Sequence, residues 1–252
     1  MTSTTTPLRY LTDSYADEPG VDTAISALLV EQASDGLQPE TLRLYRPGRV
    51  VAFGRQDAAA AGYPGAVIAA RAGGFLAVER LAGGRAAVFT PETIAFSWTI
   101  PDRDPRSHTE ARFEMVSGLI RDVLRGLGVD AHVGEVAGEY CPGRFSVNAG
   151  HSKKLMGVGQ RLKRHASHVG GVIVVDGTEA VVDILEPVYA ALGLAWRPAA
   201  TGSIADVAPR IGFDTVVAAI TVAISAERPI EPASLDGGIL TKARQLAPSL
   251  LP

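Results

Sequence analysis

Apolar positions recur at helical spacing in several long windows of the chain and alternate with polar ones in many short windows. From Val21 to Gln32, the residues Val21, Ile25, Leu28 and Leu29 mark one face, Asp22 sits near the start and Asp35-Gly36 forms a stop. The clearest pattern runs from Thr109 to Leu127, where Phe113, Val116, Ile120, Val123 and Leu127 line one side and Gly128 ends it. Thr178 to Leu192 repeats the signal through Ala180, Val181, Ile184, Leu185 and Val188. Asp214 is expected to cap a last helix reaching about Ala226, and a small Ala-rich helix is expected from Gly65 to Ala72 before Gly73-Gly74.

Strand signals fill the intervals. Leu8–Thr12, Phe75–Glu79, Ile94–Ile100, Ala131–Glu135 and Val169–Val175 read as single strands. Thr41–Tyr45 and Val50–Phe53 flank Arg46-Pro-Gly-Arg49, which predicts a hairpin, with Gly54–Asp57 leaving it as a polar loop. A second hairpin is expected between Arg144–Asn148 and Leu155–Leu162 around Ala149–Ser152. Strands and helices mix without a regular βαβ rhythm, so the pattern predicts an α+β fold, with a mixed, largely antiparallel sheet and flanking helices. One domain over residues 8–226 is expected, with an N-terminal tail over 1–7 and a Pro- and Ser-interrupted C-terminal tail over 227–252.

Composition changes this picture little. The 252 residues are 46% hydrophobic, enough for a buried core, and a formal net charge of −3 supplies no global basic field for nucleic acid or an anionic membrane. The N-terminus lacks a basic region followed by an apolar run, and all apolar runs fall short of the roughly 20 residues of a membrane helix. A cytoplasmic protein is expected. A single cysteine excludes an internal disulfide, and His151, His165 and His168 lack companions at a zinc-like spacing, so no metal site is expected.

That cysteine concentrates the candidate chemistry. Cys141 lies in Tyr140-Cys-Pro-Gly-Arg-Phe145, and a lone cysteine is either a small buried hydrophobe or a nucleophile. Pro142-Gly143 argues against burial in a regular element, and Arg144, Lys153, Lys154 and Arg161 offer the positive potential that favours a thiolate. Lys154 is either a solvated strand lysine or a cation turned inward to stabilise a developing oxyanion. Gly83-Gly84-Arg85 matches no phosphate-binding fingerprint and is read as a tight loop or a ligand contact. His151 and His168 are candidates for proton transfer, and Arg55 and Arg80 for contact with an anionic group or an acidic partner.

Taken together, Leu42–Tyr45, Ala52–Arg55, Arg80–Val88, Cys141–Phe145, Lys154–Arg161 and Thr201–Ile204 resemble, in order, the biotin/lipoate protein ligase superfamily. The resemblance implies a large mixed sheet, a smaller sheet and flanking helices around an acyl cleft. It places Arg80, Gly83, Gly84, Arg85, Gly157 and Gly159 against the acyl group, with Cys141 and Lys154 as catalytic residues and Arg55 and His168 as secondary ones. Members that use ATP and magnesium to activate free lipoate carry a third glycine and then a histidine in the loop, where this chain has Arg85 and Phe89-Thr90. The cysteine block instead resembles transferases that need no cofactor and move an octanoyl or lipoyl group through a thioester. The resemblance then implies lipoyl-domain partners: the glycine cleavage H protein, 2-oxoacid dehydrogenase E2 subunits, or an acyl carrier protein as donor. An ATP-dependent ligase and a non-catalytic acyl-protein binding module are the alternatives.

Overall fold

A computed structural model describes residues 6–252; the first five residues of the expected N-terminal tail lie outside the described ones. In chain order the elements are β1 (Leu8–Leu11), α1 (Val21–Ser34), β2 (Thr41–Tyr45), β3 (Val50–Phe53), α2 (Arg55–Ala58), α3 (Tyr63–Ala72), β4 (Leu76–Glu79), β5 (Ala87–Phe89) and β6 (Thr93–Pro101). There follow α4 (Thr109–Gly126), β7 (Ala131–Val133), β8 (Val147–Ala149), β9 (Lys153–Leu162), β10 (Ala166–Val174) and α5 (Thr178–Leu192). The last are α6 (Ile204–Val207), α7 (Phe213–Glu227), β11 (Ile230–Pro232) and α8 (Gly237–Leu246).

The strands form an eight-stranded sheet in the order β11-β1-β2-β6-β10-β9-β8-β7 and a three-stranded sheet in the order β4-β3-β5. In the large sheet β1 runs parallel to both β11 and β2, and the remaining pairs are antiparallel. This is the mixed, largely antiparallel class that the alternation predicts. The expected hairpin between Thr41–Tyr45 and Val50–Phe53 does not form: β2 pairs with β6, whereas β3 pairs with β4 and β5 in the other sheet. Residues 46–49 are a crossing between sheets. The Arg46 guanidinium covers the Phe213 ring at 3.7 Å, and a Cβ at Gly48 would lie 2.5 Å from the Ala16 carbonyl oxygen. Only glycine lets the chain pass there.

Three further expectations are corrected. Residues 55–58 are a short helix rather than a loop. Gly212, not Asp214, occupies the cap of α7, and Asp214 sits in the first turn, where its charge favours the positive helix end. The C-terminal segment is no tail, since β11 extends the large sheet and α8 packs Ile239 and Ala243 onto Val21, Ile25 and Leu29 of α1. The Asp236 carboxylate caps α8 by accepting the Gly238 and Ile239 amides.

The cleft arises from how each face is covered. Leu42, Leu44, Phe96 and Trp98 of the large sheet pack against Val116, Ile120 and Val123 of α4 and Val216 and Ile220 of α7. The small sheet buries Val51, Phe53 and Val88 against α3 and α5. On β6 the positions between the large apolar ones are Thr93, Ala95, Ser97 and Thr99, and all are buried as well. The opposite face of the large sheet therefore meets α1 and the small sheet instead of water.

Candidate active site

Cys141 sits in the loop over residues 134–146 that joins the adjacent antiparallel strands β7 and β8. Its backbone is left-handed, with φ +42°, a conformation that costs a non-glycine residue about 1–3 kcal/mol and must be held by its surroundings. Tyr189 of α5 accepts the Cys141 amide at 2.8 Å and donates to the Ala86 carbonyl at 3.1 Å. From below, the Lys154 ammonium donates to the Cys141 and Tyr140 carbonyls at 2.8 and 3.0 Å. Its third donor meets the Glu139 carboxylate at 2.9 Å, and both side chains are fully buried. Glu139 also accepts from the Val136 and Gly143 amides and the Ser146 hydroxyl, so one carboxylate organises the whole loop.

The sulfur points away from this scaffold toward the glycine loop between β4 and β5. Arg80 Nη2 donates to Sγ at 3.2 Å and the Arg85 amide at 3.3 Å. Burial pushes the Cys141 thiol up, but the Arg80 charge, the Lys154 charge and these two hydrogen bonds outweigh it and hold the thiol below its ordinary value. Arg80 also donates to the Arg85 carbonyl at 2.6 Å, while its buried Nε has no partner among the described residues.

The glycines admit this arrangement. Gly84 has φ +97°, and a Cβ there would lie 2.8 Å from Sγ and 2.5 Å from Arg80 Nη2. At Gly159 a Cβ would lie 2.8 Å from that of Ala82, so a side chain would hold the loop off β9. Gly83, Gly157 and Gly159 join Phe113, Phe145, Thr109 and Gln160 in lining the groove at the thiol. The two phenyl rings are stacked at 4.9 Å.

Of the residues expected at the site, Cys141, Arg80, Gly84 and Arg85 are brought together, Gly83, Gly157 and Gly159 wall the groove, and Lys154 supports the loop from beneath with its donors engaged. Arg55 is exposed on α2, where it lines a separate surface groove with Glu79, Arg161 and Lys163. His151 stacks on His132 at 3.8 Å in the β8–β9 turn. His168 lies in a deeper cavity between the sheets, its Nδ1 3.2 Å from Ser97 Oγ. Three contributors escaped the sequence reading. Tyr189 is legible there only as part of a helix, Asp57 only as loop, and Glu139 not at all. Asp57 is fully buried, accepts the Gly54 amide at 3.0 Å and pairs with Arg85 at 3.3 Å. The Pro-Gly dipeptide beside the cysteine signals a turn, but nothing in one sequence marks which distant tyrosine or aspartate closes on it.

Burial, and after it the Arg43 charge, pushes His168 down to about 4 from its ordinary 6.5. Between these values the unfolded chain binds a proton that the folded one refuses, so stability rises with pH across that window. Stability is expected to fall by about 3 kcal/mol as pH drops from above 6.5 to below 4. Urea melts of wild type and His168→Phe across this range check it: the variant should lose most of that slope, and an unchanged slope would place its source elsewhere.

No aspartate or glutamate lines the groove at Cys141, and among the described residues no cluster of three or more His, Cys, Asp or Glu is placed to hold a metal ion. No helix of the described residues is long and apolar enough to cross a membrane.

Comparison with known proteins identifies the family and the fold. The family profile of the lipoyl protein ligase A/B catalytic domain matches residues 18–224. An octanoyl-GcvH:protein N-octanoyltransferase of Geobacillus kaustophilus is 26% identical over 174 residues, covering 69% of this chain and 58% of that protein. A protein of the same name from an Exiguobacterium species is 34% identical over 101 residues, covering 40% of this chain and 34% of its own length. The alignments thus span less than two thirds of either relative. Among solved structures, a lipoate-protein ligase A bound with ATP superposes with a TM-score of 0.75 at 18% identity, covering 96% of this chain and 94% of that one. A bi-partite lipoate protein ligase from Thermoplasma acidophilum, described together with its E2 lipoyl domain, gives 0.69 at 18% identity, covering 96% and 92%. These likenesses establish the fold.

Proposed function

The chain belongs to the lipoyl protein ligase A/B catalytic-domain family, and from that premise we propose that it is an acyltransferase that moves an octanoyl or lipoyl group between lipoyl-domain-type proteins through a thioester on Cys141. The observation that carries this reading is the half-buried sulfur with Arg80 and the Arg85 amide aimed at it. The relatives' name supports octanoylated GcvH as donor and a lysine of a second protein as acceptor.

In the first step the Cys141 thiolate attacks the acyl carbonyl; the new C–S bond forms and the C–N bond to the donor lysine breaks, the departing amine taking up a proton from water. The oxygen of the tetrahedral intermediate carries negative charge that the Arg80 guanidinium, a wall of the groove, is placed to offset. In the second step the amine of the acceptor lysine attacks the thioester, the C–N bond forms, and the Cys141 thiolate leaves while the amine proton goes to solvent. Donor and acceptor bonds are both amides, so the exchange is near thermoneutral and reversible. No step passes through a nucleotide.

Incubation with octanoylated GcvH, without nucleotide, is expected to add one octanoyl group to the intact protein, and peptide mapping should place it on Cys141. A product that forms only when ATP is added would instead identify a ligase. The rate of acylation should rise with pH to a plateau whose midpoint lies below that of an ordinary cysteine, because the cations and hydrogen bonds at Sγ hold the thiol down. Arg80→Leu should move the midpoint up.

A further inference from the structure

Two consecutive glycines carry the loop between β4 and β5 past the thiol. Gly83 and Gly84 are exposed, Gly84 is left-handed, and a Cβ on Gly84 would lie 2.8 Å from Sγ. The pair lets the loop come close, and the same freedom lets it drift, since glycine has more backbone conformations to lose than any other residue. The Arg85 amide that donates to Sγ at 3.3 Å follows directly. Its place depends on what grips residue 85 and its neighbours.

Two grips act on the backbone: Arg80 Nη2 holds the Arg85 carbonyl at 2.6 Å, and Tyr189 holds the Ala86 carbonyl at 3.1 Å. The third acts on the Arg85 side chain, whose Nη1 donates to Asp57 Oδ1 at 3.3 Å. Asp57 is itself fixed. It is fully buried in the third position of α2, and its Oδ2 accepts the Gly54 amide at 3.0 Å. Gly54 in turn presses on the loop, since a Cβ there would come within 1.9 Å of the Gly84 carbonyl oxygen. One carboxylate thus ties the turn packed against Gly84 to the side chain that follows Gly84. Capping a four-residue helix asks only for a neutral side-chain oxygen, and a buried charge is costly unless it is paired. The charge of Asp57 is matched to Arg85.

We propose that Asp57 is a positioning residue for the chemistry of Cys141: by holding Arg85 and Gly54 together, it keeps the Arg85 amide on the sulfur. That role rests on the acyl-transfer reading of Cys141. It has a sign opposite to that of charge alone. A carboxylate near a thiol opposes ionisation, so removing its charge without moving the loop would make the thiolate easier to form. Removing a clamp does the reverse, because the thiolate loses a hydrogen bond.

Alkylation of Cys141 by iodoacetamide across pH, in wild type, Asp57→Asn, Arg85→Gln and the double variant, tests it. Asparagine keeps an oxygen for the Gly54 amide but turns donors toward Arg85. Below the wild-type midpoint, alkylation is expected to be about 3- to 10-fold slower in either single variant, the worth of most of one hydrogen bond to a thiolate, with the midpoint moved up. The double variant should match the single ones, since all three break the same link. Unchanged or faster alkylation in Asp57→Asn, or single effects that multiply in the double variant, overturns the proposal. Should Asp57→Asn not fold, Arg85→Gln decides in about 1 M salt, which screens the lost charge of a side chain that is 32% exposed. Slower alkylation there supports the clamp, and wild-type alkylation overturns it. Octanoyl loading from octanoylated GcvH, followed on the same proteins, separates this inference from the reading beneath it. Coupled alkylation without any octanoyl adduct keeps the clamp and removes the acyl transfer, whereas an adduct with independent alkylation does the reverse.

Discussion

Cys141→Ala is expected to fold like the wild type, to form no acyl adduct, and to transfer at least ~10³-fold more slowly. Stability should survive because the contacts that shape the loop are main-chain ones: Tyr189 holds the residue 141 amide and Lys154 its carbonyl, whatever the side chain. What disappears is the only atom in the groove that Arg80 and the Arg85 amide prepare for attack. Cys141→Ser sharpens the test. A hydroxyl at the same place ionises far less readily than a thiol, and two hydrogen bonds that suffice to hold a thiolate do not make an alkoxide at neutral pH. Both variants should therefore fail, and circular dichroism should show both folded. Transfer by Cys141→Ala within tenfold of wild type would show direct passage from donor to acceptor and end the covalent mechanism.

Which parts of this site the sequence could announce follows from the range of the forces involved. Helix faces such as Val116-Ile120-Val123 and the alternation through Ile94, Phe96 and Trp98 are local patterns, and both pack as that pattern requires. The same strand misleads about its other face: Ser97 and Thr99 suggest water, yet they are buried beneath α1 and the cleft. Thr41–Tyr45 and Val50–Phe53 have the look of a hairpin, because the Pro-Gly turn is local information. The partners that separate them, β6 on one side and β4 on the other, lie further along the chain and cannot be weighed from the turn alone.

The chemistry divides in the same way. Cys141 and the Gly83-Gly84 loop were visible through residue type and turn context, and the resemblance joined them. The partners of Sγ were not: Arg80 was read as a contact for an outside anion, and the structure turns it onto the thiol. Sequence context leaves Lys154 either solvated or turned inward to a developing oxyanion, whereas its donors go to Glu139 and two loop carbonyls. A cation and a nucleophile brought together by spacing can meet directly or through the backbone between them. Only the register of β8 and β9, with its irregularity at Val147/Asn148, decides which.

That geometry makes Lys154 a positioning residue, and its removal is the second large effect. Lys154→Met leaves the Glu139 carboxylate buried without its cation and two loop carbonyls without their donor. Breaking a fully buried pair from one side costs about 3–5 kcal/mol, so the melting midpoint should fall by roughly 10 °C for a chain of this size. Transfer should fall as well, since the loop that holds residue 141 at positive φ loses its support and the thiol loses a nearby positive charge. The double variant Lys154→Met/Glu139→Gln tells these contributions apart. It removes the uncompensated charge, so most of the lost stability should return, while the thiol should still titrate higher than in the wild type, as read from the pH dependence of its alkylation by iodoacetamide. A double variant with wild-type melting, alkylation profile and transfer rate would mean that Lys154 contributes only to packing. An unchanged melting midpoint in Lys154→Met alone would contradict the buried pair itself. Between those two outcomes lies the role its contacts assign: the cation sets the shape of the loop, and through that shape the reactivity of the sulfur.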